Sequence, residues 1–185
     1  MKTNVIFESE RLIFRLWNEK DSLPFALMNN DDDVMAYFPY KLSKKASDAF
    51  IDRMMNVHKE QGYGLYAVEL KATGDFIGFI GFAVPSFEEE FMPCIEIGWR
   101  LNKEYWHQGY ATEGALACLS YGFDQCGFEE VVSFTSKINR PSIAVMKRIG
   151  LTYVIEFQHP SIEDNHELKP HVLYKLTKAS WIANK

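Results

Sequence analysis

The chain has few cysteines, no long apolar run and no clustered basic stretch, and each shortage removes a class of protein. Its three cysteines, Cys94, Cys118 and Cys126, are too few for a disulfide framework and lack the C-x-x-C spacing of a zinc or redox site. A reducing cytoplasm is therefore the expected setting. No stretch approaches the roughly 18 apolar residues of a membrane-spanning helix, and Met1 to Glu8 contains no apolar core of an export signal, so no membrane partner is expected. Lys and Arg total 20 against 25 Asp and Glu, for a formal net charge of -5. Scattered cations on an acidic chain do not neutralise a run of phosphates, which excludes extended nucleic-acid contacts. His58, His159, His166 and His171 lack metal-ligand spacing, and no metal is expected. There is no repeat, low-complexity tract or Pro- or Ser-rich linker, so residues 1–185 read as one domain with its core at about 9–178.

What is present points to a compact α+β globule, since 47% of residues are hydrophobic and 24% charged. Arg11 to Leu16 reads as a strand, followed by a short helix capped by Asp21 or Ser22 and carrying Phe25, Ala26, Leu27 and Met28. From Ser43 or Ser47 to about Gln61, the spacing of Ala46, Phe50, Met54 and Val57 predicts an amphipathic helix ended by Gly62. Aromatic and β-branched residues in Tyr63–Leu70 and Phe76–Val84 flank Lys71-Ala72-Thr73-Gly74-Asp75, a hairpin signature. After the loop Pro85 to Pro93, residues 94–101 alternate, with Cys94, Glu96, Gly98 and Arg100 opposite Ile95, Ile97, Trp99 and Leu101. A helix from about Thr112 to Cys126, a strand Val131–Ser136, a helix Arg140–Ile149 stopped by Gly150, and strands near Val154 and Val172 complete the chain. Helices interrupting a mostly antiparallel sheet, with one late strand-helix-strand crossover, disfavour a doubly wound dinucleotide fold.

Chemistry concentrates at the turn Trp106-His107-Gln108-Gly109-Tyr110-Ala111-Thr112. Gln108 to Thr112 present consecutive backbone N–H groups ahead of a helix, Gly109 permits close approach or positive φ, and the helix dipole adds positive potential. A pyrophosphate fits such a turn, although a glycine at a helix start also occurs for purely conformational reasons.

Context extends the signal. The strand Glu96-Ile97-Gly98-Trp99-Arg100-Leu101, the turn, the helix start Asn139-Arg140-Pro141-Ser142 and the run Val145-Met146-Lys147-Arg148-Ile149-Gly150-Leu151 together resemble the GCN5-related N-acetyltransferase (GNAT) superfamily. Glu10-Arg11-Leu12 resembles the opening strand of its ribosomal-protein-alanine N-acetyltransferase branch. In the family's phosphate loop an Arg or Gln precedes the glycines, whereas Trp106 stands first here and His107 replaces a frequent glycine.

The resemblance implies a single-domain GNAT fold with a splayed central strand pair, and acetyl-CoA as co-substrate. It implies that the backbone of Trp99, Arg100 and Leu101 pairs with the pantetheine arm, that His107, Gln108, Gly109, Tyr110, Ala111 and Thr112 hold the pyrophosphate, and that Asn139 contacts the pantetheine region. An attacking amine must be neutral, and Glu96 is the candidate base, provided burial raises its reference pKa of about 4.3. Ser142 is the candidate donor to the departing thiolate, although Ser and Asn at helix starts also serve as caps. Many family members place a tyrosine where this chain has Met146, so that acid does not carry over, and Tyr110 and Tyr153 have no motif support. Lys137, Arg140 and Lys147 stay outside the expected site. The expected partners are acetyl-CoA and a primary amine acceptor, drawn to acidic stretches at 31–33 and 88–90, in a monomer or homodimer. Competing readings are a non-catalytic acyl-CoA sensor and a structural domain without coenzyme.

Overall fold

The computed structural model describes residues 4–184. Its centre is one eight-stranded sheet in the order β1-β2-β3-β4-β5-β6-β8-β7. The strands are β1 (Val5–Glu8), β2 (Leu12–Arg15), β3 (Leu65–Leu70), β4 (Phe76–Ala83), β5 (Glu96–Leu101), β6 (Glu130–Ser136), β7 (Thr152–Gln158) and β8 (Pro170–Thr177). The helices are α1 (Ser22–Asn29), α2 (Lys44–Gln61), α3 (Tyr110–Asp124), α4 (Arg140–Arg148) and α5 (Lys178–Ala183). The neighbouring strands pair antiparallel except β5 with β6. This is the mixed, mostly antiparallel α+β sheet expected from the sequence.

Each face of the sheet is covered by what the side-chain alternation puts there. Ile97 and Leu101 of β5 join Leu12, Phe14, Ile80, Phe82 and the inner stripe of α3 (Ala115, Cys118, Leu119, Phe123) in the main core. A second cluster lies under α1 and α2, where Trp17, Phe25, Met28, Ile51 and Met54 pack with Phe79. A third, built on Val132, Leu173 and Phe157, is covered by Phe87 and Phe91. Val131 and Val132 are adjacent on β6 but enter the main and third cores respectively, which puts the third cluster on the face opposite α3.

Local outcomes refine the expectations. Asp21 occupies the α1 N-cap position without making a cap bond; its carboxylate is drawn instead to Arg15, at 2.7 Å from both Nη1 and Nη2. Ser43 rather than Ser47 caps α2, accepting from the Ala46 N–H at 3.2 Å. The buried stripe of α2 is Ser47, Ile51 and Met54, with Phe50 and Val57 half-buried at its margin and Ala46 exposed. The stripe is rotated because Ser47 is a core position, its hydroxyl accepting from the buried Asn29 Nδ2 at 3.0 Å. Strand β1 and helix α5 were not expected; they have 4 and 6 residues, too short to show a period. No helix among the described residues is long and apolar enough to cross a membrane.

Candidate active site

The site forms where β5 and β6 diverge. Their parallel pairing holds at one register, Glu96 with Val132, and the Val132 N–H donates to the Ile95 carbonyl at 2.9 Å. One step further a side chain replaces the ladder, with Ser133 Oγ donating to the Ile97 carbonyl at 2.9 Å. On its other edge β5 remains paired with β4 from Glu96 to Leu101. The two-residue repeat turns the carbonyls of Ile95, Ile97 and Trp99 to the same edge, so Trp99 offers its N–H and C=O to the gap. Arg100 turns its backbone to β4, where Gly78 at φ 136 lets that strand approach so closely that any Cβ would strike the Arg100 carbonyl. The Leu101 carbonyl is taken by the Trp106 indole Nε1 at 2.8 Å. Of the three backbone positions proposed from sequence for the pantetheine arm, only Trp99 offers both groups to the gap.

The gap widens toward the carboxyl ends of both strands, each of which leads into a helix start. At α3, Gly109 is the N-cap at φ 82 with no side-chain cap bond, and His107 before it is also left-handed at φ 60. The first intrahelical donor is the Glu113 N–H, to the Gly109 carbonyl at 2.9 Å. The N–H groups of Tyr110, Ala111 and Thr112 therefore have no acceptor within the helix, and they concentrate positive potential at this turn. A Cβ on Gly109 would meet nothing nearer than Arg11 Nη2 at 3.5 Å, so conformation rather than space calls for glycine.

Two cations flank the turn that the sequence did not single out. The Arg11 guanidinium stacks on the Tyr110 ring at 4.3 Å and is anchored by Glu113 at 2.6 Å. From α4, Arg148 Nη1 donates to Thr112 Oγ1 at 3.0 Å. Their only sequence signal is being arginine, since 102 and 36 residues separate them from these partners. Gln108 donates through Nε2 to the Glu104 carbonyl at 3.1 Å, and the His107 side chain is exposed.

At α4 the buried Asn139 is the N-cap: its Oδ1 accepts from the Ser142 N–H at 3.2 Å, while its Nδ2 donates to Thr135 Oγ1 at 2.8 Å and to Ser142 Oγ at 3.1 Å. Because Ser142 Oγ accepts from Asn139, its own hydrogen is left to donate elsewhere.

Glu96, Gly98 and Arg100 occupy the β5 face opposite α3, between the α1–α2 cluster and the Phe87–Phe91 cluster. Among the described residues the Glu96 carboxylate has no hydrogen-bond or ion-pair partner, and burial pushes its pKa up to about 8. Burial, followed by the nearby Glu96 and Glu130 charges, pushes the Cys94 thiol up to about 11. Arg100 donates through Nη1 to Asn29 Oδ1 at 2.7 Å and lies over the rings of Phe38 and Phe79 at 4.0 and 5.4 Å. On the other side of Glu96, Phe87 and Phe91 pack edge-to-face against Phe134 and Phe157 beside His159 and His171. Burial lowers both histidines, His171 to about 4, so both rings are neutral near pH 7.

The acidic stretch at 31–33, expected to draw a cation, is already engaged. Lys103 Nζ bridges Asp31 and Asp33 at 2.7 and 2.9 Å, and Lys41 pairs with Asp32.

A parted parallel pair flanked by two helix starts, one of them uncapped, makes the candidate site and is the arrangement expected of an acyl-CoA-type transferase. The family model "Acetyltransferase (GNAT) domain" matches residues 11–152, and the chain belongs to that family: it is an acetyl-CoA-dependent N-acetyltransferase. It is 33% identical over 155 residues to YkkB of Bacillus subtilis (strain 168), covering 82% of this chain and 87% of that one. A crystal structure of a GNAT-family acetyltransferase from Bacillus anthracis superposes with a TM-score of 0.78 at 28% identity, covering 93% of this chain and 98% of that one. The ribosomal-protein-S5-alanine acetyltransferase of Vibrio fischeri, at 17% identity, shares the fold, with a TM-score of 0.75 over 95% of this chain and 97% of that one.

Proposed function

We propose that the chain transfers an acetyl group from acetyl-CoA to a primary amine by direct attack in a ternary complex. The observation that carries this reading is the single-register pairing of β5 with β6, which leaves the Trp99 backbone edge unpaired between the two helix starts. These residues suit the coenzyme: a backbone edge for an amide-bearing arm, the uncapped first turn of α3 for a pyrophosphate, and Arg11 and Arg148 beside it for negative charge. When bound, acetyl-CoA supplies a thioester carbonyl carbon for the amine to attack and a thiol to leave. The chain's part is proton handling and orientation. Glu96, unpaired and near neutral pKa, takes the proton from the amine nitrogen. Ser142 Oγ, oriented by Asn139, donates toward the departing sulfur. Gln108, Gly109, Tyr110, Ala111 and Thr112 hold phosphate through backbone N–H groups, and the exposed His107 contributes its backbone alone. Residues 1–185 act as one catalytic domain.

Thiol release from acetyl-CoA on addition of amines, scanned over N-terminal peptides, amino acids, polyamines and aminoglycosides, tests this reading. CoA at 100 times its Kd stabilises the fold by about 2.7 kcal/mol; that stabilisation without thiol release from acetyl-CoA on addition of any amine identifies a sensor, and neither effect identifies a structural domain. Gly109→Val forces a β-branched residue into left-handed backbone, a strain of about 1–2 kcal/mol, and is expected to weaken CoA binding about tenfold by calorimetry. Ser142→Ala is expected to lower kcat by about 100-fold, the lower end of proton-transfer catalysis, in a steady-state assay at saturating acetyl-CoA. Unchanged kcat would reduce Ser142 to a capping role.

A further inference from the structure

Resting on the acetyltransfer reading, we infer that Arg100 and Glu96 together select acceptors that carry a carboxylate as well as the amine: amino acids or short peptides with a free C-terminus rather than polycations.

The first observation is placement. Glu96 and Arg100 are four residues apart on one strand, so they share a face, with their Cα atoms about 13 Å apart. The residue between them on that face is Gly98, which adds no side chain. The β5 surface between the two clusters thus has a carboxylate at one end, a guanidinium at the other and open backbone between.

The second is that neither charge has an ion-pair partner among the described residues. No carboxylate pairs with Arg100 among the described residues; its one charged-group hydrogen bond goes to the neutral Asn29 Oδ1 at 2.7 Å, and its Nε is enclosed without a partner. The guanidinium lies over the Phe38 and Phe79 rings, which hold it by cation–π contact and supply no anion. A desolvated cation without an anion is unfavourable. Where this chain buries an arginine for structure it supplies anions: Arg15 is held by Asp21 at 2.7 Å and Glu69 at 2.8 Å. Tethering the α1–α2 connection through Asn29 needs only a neutral donor. The charge on Arg100 is therefore explained by an anion that arrives with the ligand, and guanidinium edges match a carboxylate.

The third is the loss of the competing pull. Lys103 and Lys41 engage the acidic stretch at 31–33, so a polycation competes with two lysines and meets Arg100 at that end.

The test uses the intact chain with glycylglycine and triglycine, each compared with its C-terminal amide. The expected kcat/KM ratio of acid to amide is tenfold or more, falling close to one in Arg100→Met and staying above one in Arg100→Lys. A ratio near or below one in the unmodified chain overturns the inference, and that measurement needs no variant to fold. Arg100→Met lowering acid and amide equally also overturns it, because a loop tether would act on both alike. Calorimetric binding of the same acids and amides in the presence of CoA reads carboxylate recognition without turnover. Absent thiol release with retained acid preference sinks acetyl transfer alone, and thiol release without acid preference sinks this inference alone.

Discussion

Glu96→Gln is expected to lower kcat by about 10²–10⁴-fold, the range supplied by a positioned general base, and to erase an acid limb near pH 8 from the pH–rate profile. Burial raises the Glu96 carboxyl to about 8, so below that pH the side chain is protonated and cannot accept the amine's proton. The unmodified rate therefore climbs with pH up to about 8 and then flattens. The slope left in the Gln variant reports ionisation of the amine alone. A wild-type-like acid limb in Glu96→Gln would remove Glu96 from proton transfer.

The same shift acts on stability with opposite sign. Because the folded pKa lies above the unfolded value, the native state holds a proton that the unfolded chain has lost. The Glu96 contribution is fully present below the unfolded value of 4.5 and declines as pH rises through about 8, by at most about 1.4 kcal/mol per pH unit. Glu96→Gln should gain stability over the unmodified chain between urea melts at pH 5 and pH 9. Glu96 is thus held where the fold disfavours its charge.

Asp21→Ala is expected to destabilise the fold by about 3 kcal/mol, the lower end for breaking a buried ion pair, because Arg15 keeps Glu69 at 2.8 Å. Arg15 and Asp21 are 2% and 1% exposed, so water does not compensate either. Asp21 also accepts from the Asn18 N–H at 2.9 Å, closing the short turn (Glu19–Asp21) that aims α1. Since α1 carries Asn29, which bonds Arg100 and Ser47, the loss should reach the acceptor side of the site. For a domain of this size each kcal/mol lowers Tm by roughly 2–4 °C, or about 10 °C in all. Replacing Arg15, Asp21 and Glu69 together by apolar residues should be milder, because no half-paired buried charge remains. A loss under about 1 kcal/mol for Asp21→Ala would show that the pair is not structural.

Much of this site is readable in the residues because its chemistry is local. A helix start with Gly109 ahead of Tyr110, and another with Asn139 ahead of Ser142, are set by side chains within four positions of each other. Strand alternation likewise separates Glu96, Gly98 and Arg100 from Ile97 and Leu101 by a rule of period two. The resemblance to the GNAT superfamily drew on these same segments, which is why the family and the donor were legible together.

What the chain's order could not convey depends on distance in sequence. The Ser133 hydroxyl that takes over from the β5–β6 ladder, the arginines at Tyr110 and Thr112, and the lysines that engage Asp31, Asp32 and Asp33 meet only after folding. The acidic stretch reads as a lure for cations until its partners are placed, and Arg100 reads only as a backbone position beside the coenzyme until its side chain proves to have no carboxylate partner among the described residues. Sequence alone determined the α+β class, the family and the two helix starts of the candidate site, since those rest on short-range periodicity and capping. Only tertiary structure decided which charges are answered and which stay open to a ligand, because desolvation and pairing are properties of the assembled surroundings and not of the residue.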